Sequence, residues 1–185
     1  AEYVKFYKQK KIIDYMDSFS LGLKRRKEIS KGLMSFLIQF EYSRVKKYEK
    51  NIFNYFNYHT IISNFDRNNI DNLKNNKILV VPNGIDTHYF FKRKEKTKEN
   101  IILFVGNMSY PPNILAAKFI CEKIFPLINE KIKNIQIIIA GSNPDKKVKK
   151  LKKISSKIKI TGFINDIRDV YEKASVFIAP MFIGS

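Results

Sequence analysis

The stretch from residue 77 to residue 106 constrains the fold of this chain more than any other. Two short apolar runs, 78–81 and 101–105, have the length and composition of buried strands. Between them, Pro82-Asn83-Gly84 predicts a turn, and residues 92–100 form a polar, charged connector. This order of elements predicts a crossing between two domains: a strand, a turn, a solvated connector and a new strand.

The composition is that of a globular protein rather than a disordered or membrane-spanning one. Of the 185 residues, 44% are hydrophobic and 14% are aromatic, and no apolar run reaches the ~18 residues of a membrane span. A single cysteine, Cys121, falls in a predicted helix and is expected in the core. Because the chain lacks an initiator Met and stops in a loop after a strand, we expect an internal piece of a longer protein.

The net charge of +18 suggests an anionic partner, since 35 Lys and Arg residues face only 17 Asp and Glu. The lysines are dispersed among Asn and Ile, so the compositional drift of a Lys/Asn/Ile-rich proteome is the favoured explanation of much of the excess. The main alternative is a surface that faces anionic lipid or a nucleotide. The densest cluster, Lys24-Arg25-Arg26-Lys27, is predicted in a loop or at a helix start, either as a solvated face or as a contact for phosphate or lipid headgroups.

The first half of the chain alternates strands and helices. Strands are predicted at 11–13, 59–63 and 78–81, with helices over 33–56 and from Ser63 and Asp66 to about residue 74. Asp17 and Ser18 follow the first strand, where an open sheet places ligands, although they could equally cap the next turn. Glu41 and Glu49 lie two turns apart on the second helix, a spacing that could suggest acid/base chemistry, but ion pairs with nearby lysines are the favoured role. A structural role is favoured for His59.

The second half repeats the alternation more clearly. Strands at 101–105, 135–140, 158–161 and 175–179 are each followed by a glycine or proline, and helices are predicted at 112–131, 145–153 and 167–173. Wholly apolar strands of this kind predict a parallel sheet covered on both faces.

The carboxyl ends of these strands are expected to gather at one edge and to form a nucleotide site. Neither a G-x-G-x-x-G fingerprint after residue 105 nor a Walker-type glycine loop occurs, which disfavours dinucleotide dehydrogenases and P-loop enzymes. The candidate residues at this edge are Gly106, Asn107, Gly141, Ser142, Phe163, Ile164, Pro180, Gly184 and Ser185.

Several motifs occur in a characteristic order along the chain. They are Val81-Pro82-Asn83-Gly84-Ile85-Asp86 with Tyr89-Phe90, Phe104-Val105-Gly106-Asn107-Met108, Tyr110-Pro111-Pro112-Asn113, Ile139-Ala140-Gly141, Thr161-Gly162-Phe163-Ile164-Asn165-Asp166-Ile167 and Ala179-Pro180. In order and spacing these motifs resemble the family 4 retaining glycosyltransferases of GT-B fold, especially bacterial sugar transferases linked to exopolysaccharide export.

The resemblance spans nearly the whole chain. It implies an α/β chain of two Rossmann-like parallel-sheet domains, both incomplete here. Residues 1–85 would end the acceptor-side domain, 86–100 would be the linker, and 101–185 would begin the donor domain.

The resemblance implies transfer of a hexose from a UDP- or GDP-sugar to a lipid-linked or saccharide acceptor, with no cofactor and no obligatory metal. Gly106 would lie against the donor diphosphate or sugar, and the backbone at Phe163 and Ile164 would contact the base. Gly184 and Ser185 would begin a loop that closes on the phosphates. The resemblance further implies a cytoplasmic protein, with a peripheral membrane contact on the cytoplasmic face and no nucleic-acid partner.

Two departures from the family pattern bear on the chemistry. Asn107 and Pro111 to Asn113 stand where many members carry an arginine and a lysine for the diphosphate, so a cation such as Lys118 would have to replace them. The paired glutamates of the family would follow Ser185, which leaves the catalytic residues unassigned. The alternatives are a nucleotide- or polyanion-binding module without transferase activity, and a nucleic-acid binder driven by the charge.

Overall fold

The structure is a computed structural model that describes residues 1–70, 77–91 and 99–182. The chain divides into two compact units, Ala1–Ile85 (unit 1) and Asp86–Phe182 (unit 2). Each unit contains its own parallel sheet with helices, which confirms the predicted α/β class with two parallel sheets. Most of the predicted charged connector, and the end of the helix predicted to reach residue 74, lie outside the described residues.

Unit 1 is built on three parallel strands in the order β1-β2-β3. These are β1 (Ile12–Asp14), β2 (Tyr58–Ile61) and β3 (Ile78–Val80). The helices are α1 (Phe19–Ile29), α2 (Leu33–Ile52) and α3 (Asn64–Arg67), with 3-10 turns at Glu2–Val4 and Phe53–Tyr55. One face of the sheet packs on a buried cluster, whereas the other exposes Ile12, Tyr58 and Leu79. The buried cluster comprises Tyr15, Ile52, Phe56, Ile61, Ile70 and Ile78.

Two sequence expectations for unit 1 differ from the structure. The basic cluster 24–27 lies in the second half of α1 rather than in a loop or at a helix start. The helix predicted from residue 63 ends at Arg67, where the backbone goes into turns. Asn68 and Asn69 explain the early end, because their side chains compete for backbone hydrogen bonds and disfavour helix interiors.

Unit 2 is built on four parallel strands in the order β6-β5-β4-β7. These are β4 (Ile101–Val105), β5 (Gln136–Ala140), β6 (Ile158–Gly162) and β7 (Val176–Phe177). Buried apolar clusters lie on both faces of the sheet, with Phe104, Ile137 and Ile139 in one and Leu103, Ile138 and Ala140 in the other. The expected sheet with two covered faces is therefore confirmed. The helices are α4 (Pro111–Phe119), α5 (Phe125–Lys131), α6 (Lys146–Lys150) and α7 (Arg168–Lys173).

A π-helical turn, Ile120–Ile124, joins α4 to α5 within the segment that the sequence predicts as one helix. Pro126 explains the turn, because proline has no N–H and its ring crowds the carbonyl one turn earlier. The N–H of Phe125 donates to the carbonyl of Ile120, five residues back. Cys121 lies in this turn, and burial raises the pKa of its thiol to about 12, as expected of a core residue.

The segment after β3 does not form the turn predicted at Pro82-Asn83-Gly84. Residues 81–86 contain no hydrogen-bonded turn, and Gly84 has no positive φ. The chain turns instead at 87–90, because the Asp86 carboxylate accepts the N–H groups of His88 and Tyr89 at 2.9 and 3.1 Å. Asp86 thus acts like a helix cap, and the proline keeps the preceding backbone extended.

Among the described residues, no helix is long and apolar enough to cross a membrane.

His59 makes unit 1 sensitive to acid. It is 4% exposed and stacks on Phe53, with ring centroids 3.8 Å apart, and its Nδ1 has no partner among the described residues. Burial lowers the pKa of His59 below its usual 6.5, so the folded state keeps the ring neutral. The stability that it contributes is complete above about pH 6.5 and is lost as the pH falls further.

We expect a His59→Phe variant to lose less unfolding free energy than the wild type between pH 7 and pH 5. The phenyl ring keeps the stacking on Phe53 but cannot take up a proton. Urea unfolding at several pH values measures the slope. The control is His88→Phe, at the other, exposed histidine, which should keep the wild-type slope. A wild-type slope in His59→Phe would contradict the assignment.

Candidate functional site

The strand order of unit 2 creates a crevice at the carboxyl edge of its sheet. The chain passes from β4 to β5 and β6 on one side, and then returns to place β7 on the other side of β4. Such a reversal of direction is the topological switch point at which open α/β sheets bind ligands. Gly106 and Asn107 follow β4, and Pro180 follows β7, so these three predicted residues flank the crevice.

The glycines that follow the strands contact one another directly. The N–H of Gly106 donates to the carbonyl of Ala140 at 3.0 Å, and the N–H of Gly141 donates to the carbonyl of Gly162 at 3.0 Å. Gly141 has a φ of +135°, and a Cβ atom there would lie 1.8 Å from the Gly106 carbonyl oxygen. Only glycine fits at position 141. The structure brings Gly106, Gly141 and Gly162 together at one edge of the sheet, as the sequence predicts.

The polar groups of the loop after β4 form hydrogen bonds with neighbouring protein groups. The Asn107 carboxamide oxygen accepts the N–H and the hydroxyl of Ser109 at 3.1 and 2.8 Å. The Asn113 side-chain amide donates to the Asn107 carbonyl at 3.0 Å, and it lies beside Gly106. The Met108 N–H donates to the Ser142 carbonyl at 2.8 Å, which ties this loop to the one after β5. The loop therefore presents backbone groups, rather than cationic side chains, at this edge of the sheet.

The start of α4 offers fewer N–H donors to an anion than a helix start without proline would. Its first two residues, Pro111 and Pro112, have no N–H, and the Ile114 N–H donates to the Tyr110 carbonyl. The cation suggested from the sequence, Lys118, lies in the last turn of α4, roughly 10 Å along the helix axis from its first residue. The structure therefore places Lys118 toward the end of the helix that points away from this edge.

The remaining donor-side candidates differ in environment. Phe163 directly follows β6 and is 74% exposed, whereas the Ile164 side chain packs against the core that contains Ala140 and Val170. Ser142 and Pro180 are half-buried. Gly184 and Ser185 lie outside the described residues.

The acceptor-side candidates Asp17 and Ser18 lie at the start of α1, where Ser18 is the N-cap. The Ser18 hydroxyl accepts the Leu21 N–H at 3.4 Å, so the capping alternative describes this residue. Asp17 is half-buried. Two buried carboxylates complete the start of the helix, since Asp66 accepts the Ser18 N–H at 3.3 Å and Glu49 accepts the Ser20 N–H at 3.1 Å.

The hydrogen bonds of Glu49 and Asp66 thus give these side chains a structural role at the positive end of a helix, in place of the acid/base role considered for Glu49. The sequence analysis missed this pairing, because the carboxylates come from α2 and α3 and reach α1 only in the folded unit. Glu41, the other carboxylate considered there, forms an exposed ion pair with Arg44 at 3.2 Å.

A guanidinium clamp, also missed from the sequence, fixes the turn after Asp86 to the rest of unit 2. Arg168 binds the Asp166 carboxylate with two groups, Nε at 2.8 Å and Nη2 at 2.6 Å. Its guanidinium lies 3.7 Å from the centre of the Tyr89 ring, and its Nη1 donates to the Tyr89 carbonyl at 3.2 Å. An ion pair and a cation–π contact thus hold the segment that carries the Asp86 and Tyr89 motif.

Within the described ranges, no three His, Cys, Asp or Glu side chains are close enough together to hold a metal ion.

Most of unit 2 is similar to one family of known proteins. Residues 99–184 match the family described as "Glycosyl transferases group 1". These residues contain all four strands of the unit 2 sheet and the crevice between β4 and β7. No curated protein matches the chain at a significant level.

Solved structures of TarM share the fold. One TarM crystal structure aligns with a TM-score of 0.61 over 75% of this chain at 16% sequence identity. A second, of an S. aureus TarM mutant in complex with Fondaparinux, alpha-GlcNAc-glycerol and UDP, aligns equally well. The chain spans 28% of the length of the TarM chains that it matches. This similarity supports the GT-B fold of the fragment, whereas family 4, a retaining reaction and an exopolysaccharide product stay predictions.

We expect Gly141→Ala to destabilise unit 2 by about 3 kcal/mol or more, because its Cβ would overlap the Gly106 carbonyl oxygen at a φ that alanine avoids. Gly162→Ala is the matched control, since Gly162 has a φ of +74° but no atom within 4 Å of its Cβ. That variant should lose only about 1–2 kcal/mol from backbone strain. Urea unfolding compares the two, and equal losses would argue against the contact between the glycines.

We expect Arg168→Lys to lower the stability of unit 2 by about 1–2 kcal/mol, because lysine cannot form the two-pronged bond to Asp166 or stack on Tyr89. Tyr89→Leu should lose part of the same energy, and Tyr89→Phe should retain it, since the aromatic face is preserved. Denaturant unfolding with a double-mutant cycle measures the coupling. Additive effects of Arg168→Lys and Tyr89→Leu would show that the two side chains are not coupled.

Proposed function

We propose that this chain is part of a GT-B glycosyltransferase that moves a hexose from a nucleotide sugar to a hydroxyl group of a lipid-linked or saccharide acceptor. The donor in this proposal is a UDP- or GDP-sugar, the anomeric configuration is retained, and the product belongs to a cell-surface or exopolysaccharide. Unit 2 binds the donor, unit 1 contributes to the acceptor side, and residues 86–100 link the two. The reaction takes place in the cytoplasm.

One observation carries the proposal. The segment that matches the group 1 glycosyltransferases coincides with the four-stranded sheet whose strand order reverses between β4 and β7. The family match supports glycosyl transfer, and the topology supports a ligand crevice beside Gly106. The UDP named for one TarM complex supports a nucleotide sugar as the donor.

The proposed roles of the individual residues are those that the family resemblance implies. Gly106 lies against the diphosphate or sugar at the end of β4. A side chain at this position would also meet the Asn113 carboxamide, whose nitrogen lies 2.6 Å from the Cβ position. The backbone at Phe163 and Ile164 contacts the base. Gly184 and Ser185, which lie outside the described residues, begin a segment that closes on the phosphates in this proposal.

The departing diphosphate carries charge that must be stabilised by N–H groups and cations. Pro111 and Pro112 remove two N–H groups from α4, and Asn107 and Asn113 bind within their own loop. The cations that neutralise the diphosphate therefore approach from other segments in our proposal.

Calorimetric titration of the full-length protein with UDP, GDP and ADP, and then with their hexose conjugates, tests the proposal. We expect saturable binding of one nucleotide, tightened or altered by the hexose, and loss of this binding in Gly106→Trp. The control is Gly22→Ala, at an open position in a helix of unit 1, which should bind as the wild type does. Circular dichroism distinguishes a blocked crevice from unfolding in Gly106→Trp.

Two outcomes would redirect the assignment. Nucleotide binding that is indifferent to the attached sugar would favour a binding module without transferase activity. Absence of nucleotide binding, together with RNA binding that weakens steeply with salt, would overturn the glycosyltransferase proposal.

A further inference from the structure

Helix α6 and the 3-10 turn that continues it, Leu151–Lys153, carry a concentrated group of cations. Six of the eight residues from 146 to 153 are lysine, whereas Lys and Arg together make up 35 of all 185 residues. A Lys-rich composition therefore does not account for this group. All six lysines are exposed, and no ion pair between described residues involves them.

The lysines cover the outer surface of this segment. Val148 and Leu151 are buried and pack in the same core cluster as Phe104. With about 100° between successive residues, four lysines share the opposite side within an arc of roughly 100°. They are Lys146, Lys149, Lys150 and Lys153. The other two, at 147 and 152, lie on either side of this row, and we call the six residues the lysine ridge.

The ridge lowers the stability of the folded unit. Cations three or four positions apart on a helix repel one another, and the ridge contains several such pairs. Lys146 and Lys147 also lie in the first turn of α6, at its positive end, where a cation is unfavourable. The one carboxylate from 141 to 162 is that of Asp145, which accepts the Lys147 N–H at 2.7 Å as a helix cap. Unfavourable charges that the local structure does not need indicate a negatively charged partner.

The composition of the ridge narrows the class of that partner. Residues 141–162 contain no aromatic residue and no arginine, the residue types on which the bases of nucleic-acid strands stack. The two apolar residues within the ridge are buried, so neither can insert into a bilayer. For the same reason the ridge has no exposed apolar anchor of the kind at the centre of protein–protein interfaces. Lysines alone, as flexible point charges, fit a hydrophilic chain with repeated anionic groups.

We propose that the lysine ridge binds an anionic polysaccharide, a chain whose sugars carry carboxylate or phosphate groups. The ammonium groups pair with these anions, and the rest of such a chain is hydrophilic and needs no apolar contact. That the bound chain is the acceptor or the product of this protein rests on the proposed glycosyl transfer, whereas the binding itself does not.

The ridge begins near the crevice but is separate from it. The Asp145 N–H, just before α6, donates to the Met108 carbonyl at 3.2 Å, so the ridge starts at the same edge of the sheet as the loop after β4. Helix α6 connects β5 to β6, whereas the crevice lies between β4 and β7. A polysaccharide on the ridge therefore leaves the proposed donor site open.

Fluorescence anisotropy of end-labelled polygalacturonate, titrated with the full-length protein, tests the proposal. We expect binding that weakens as the salt concentration rises, and no binding of labelled dextran, which is neutral. The ridge variant changes four lysines to glutamine and should bind polygalacturonate about tenfold more weakly or worse, with a shallower salt dependence. These are Lys146, Lys149, Lys150 and Lys153.

A charge-matched control removes four exposed cations of unit 1, also to glutamine. They are Lys24, Arg26, Lys27 and Lys31. This control should bind polygalacturonate within about twofold of the wild type, because the interactions of exposed charges are screened over short distances. In urea at low salt, the ridge variant should be at least as stable as the wild type, since like charges have been removed.

Unchanged binding in the ridge variant, or equal weakening in the control, would overturn the proposal. A ridge variant that unfolds more readily than the wild type would show that the lysines are structural. Tighter ridge-dependent binding of poly(U), of polyglutamate or of vesicles of equimolar phosphatidylglycerol and phosphatidylcholine would assign the ridge to a different class of partner and would also overturn it.

Nucleotide titration separates this proposal from the proposed glycosyl transfer. The ridge variant should bind nucleotide as the wild type does, and loss of that binding would place the lysines in the donor site instead. A wild type that binds polygalacturonate through the ridge but binds no nucleotide would contradict the proposed function and leave the ridge assignment in place.

Discussion

The close approach of Gly141 to Gly106 is the constraint on which the rest of the candidate site depends. Because position 141 has no side chain, the ends of β4 and β5 can lie backbone to backbone, with a hydrogen bond from Gly106 to Ala140. The two loops that follow are then close enough for Met108 to donate to Ser142. A side chain at residue 141 would separate these loops and widen the edge of the sheet at which the donor is proposed to bind.

Two helix starts in this chain, those of α1 and α4, have few free N–H donors for an anion. At α1 the positive end of the helix is occupied by the protein's own carboxylates, Glu49 and Asp66. At α4 two prolines remove N–H donors from the first turn. At the crevice of unit 2, the proposed binding of a diphosphate therefore depends less on the dipole of α4 and more on glycine backbone and on side chains from other segments.

The sequence predictions were accurate where the signal is local in the sequence, and they failed where contacts between distant residues decide the structure. Strands β4 and β5 were predicted to within one residue, since a central parallel strand is apolar on both faces and leaves an uninterrupted run. The turn predicted at Pro82-Asn83-Gly84 was wrong, because the Asp86 carboxylate captures two N–H groups further on. The contact between Arg168 and Tyr89 was not predicted, because these two residues lie far apart in the sequence and neither belongs to a local pattern. The capping role of Ser18 was one of two alternatives, and only the folded unit chose between them.

The sequence by itself determined the α/β class, the two parallel sheets and the glycines at the strand ends. The reason is that apolar periodicity and the positions of turn-forming residues are local properties. Tertiary structure alone decided which of these residues flank the crevice, since strand order is set by long-range pairing. It also decided that Glu49 and Asp66 accept N–H groups at the start of α1 and that the apolar side of α2 at Leu33 to Phe40 is exposed. Spacing shows that a helix has an apolar face, but only packing shows what, if anything, lies against it.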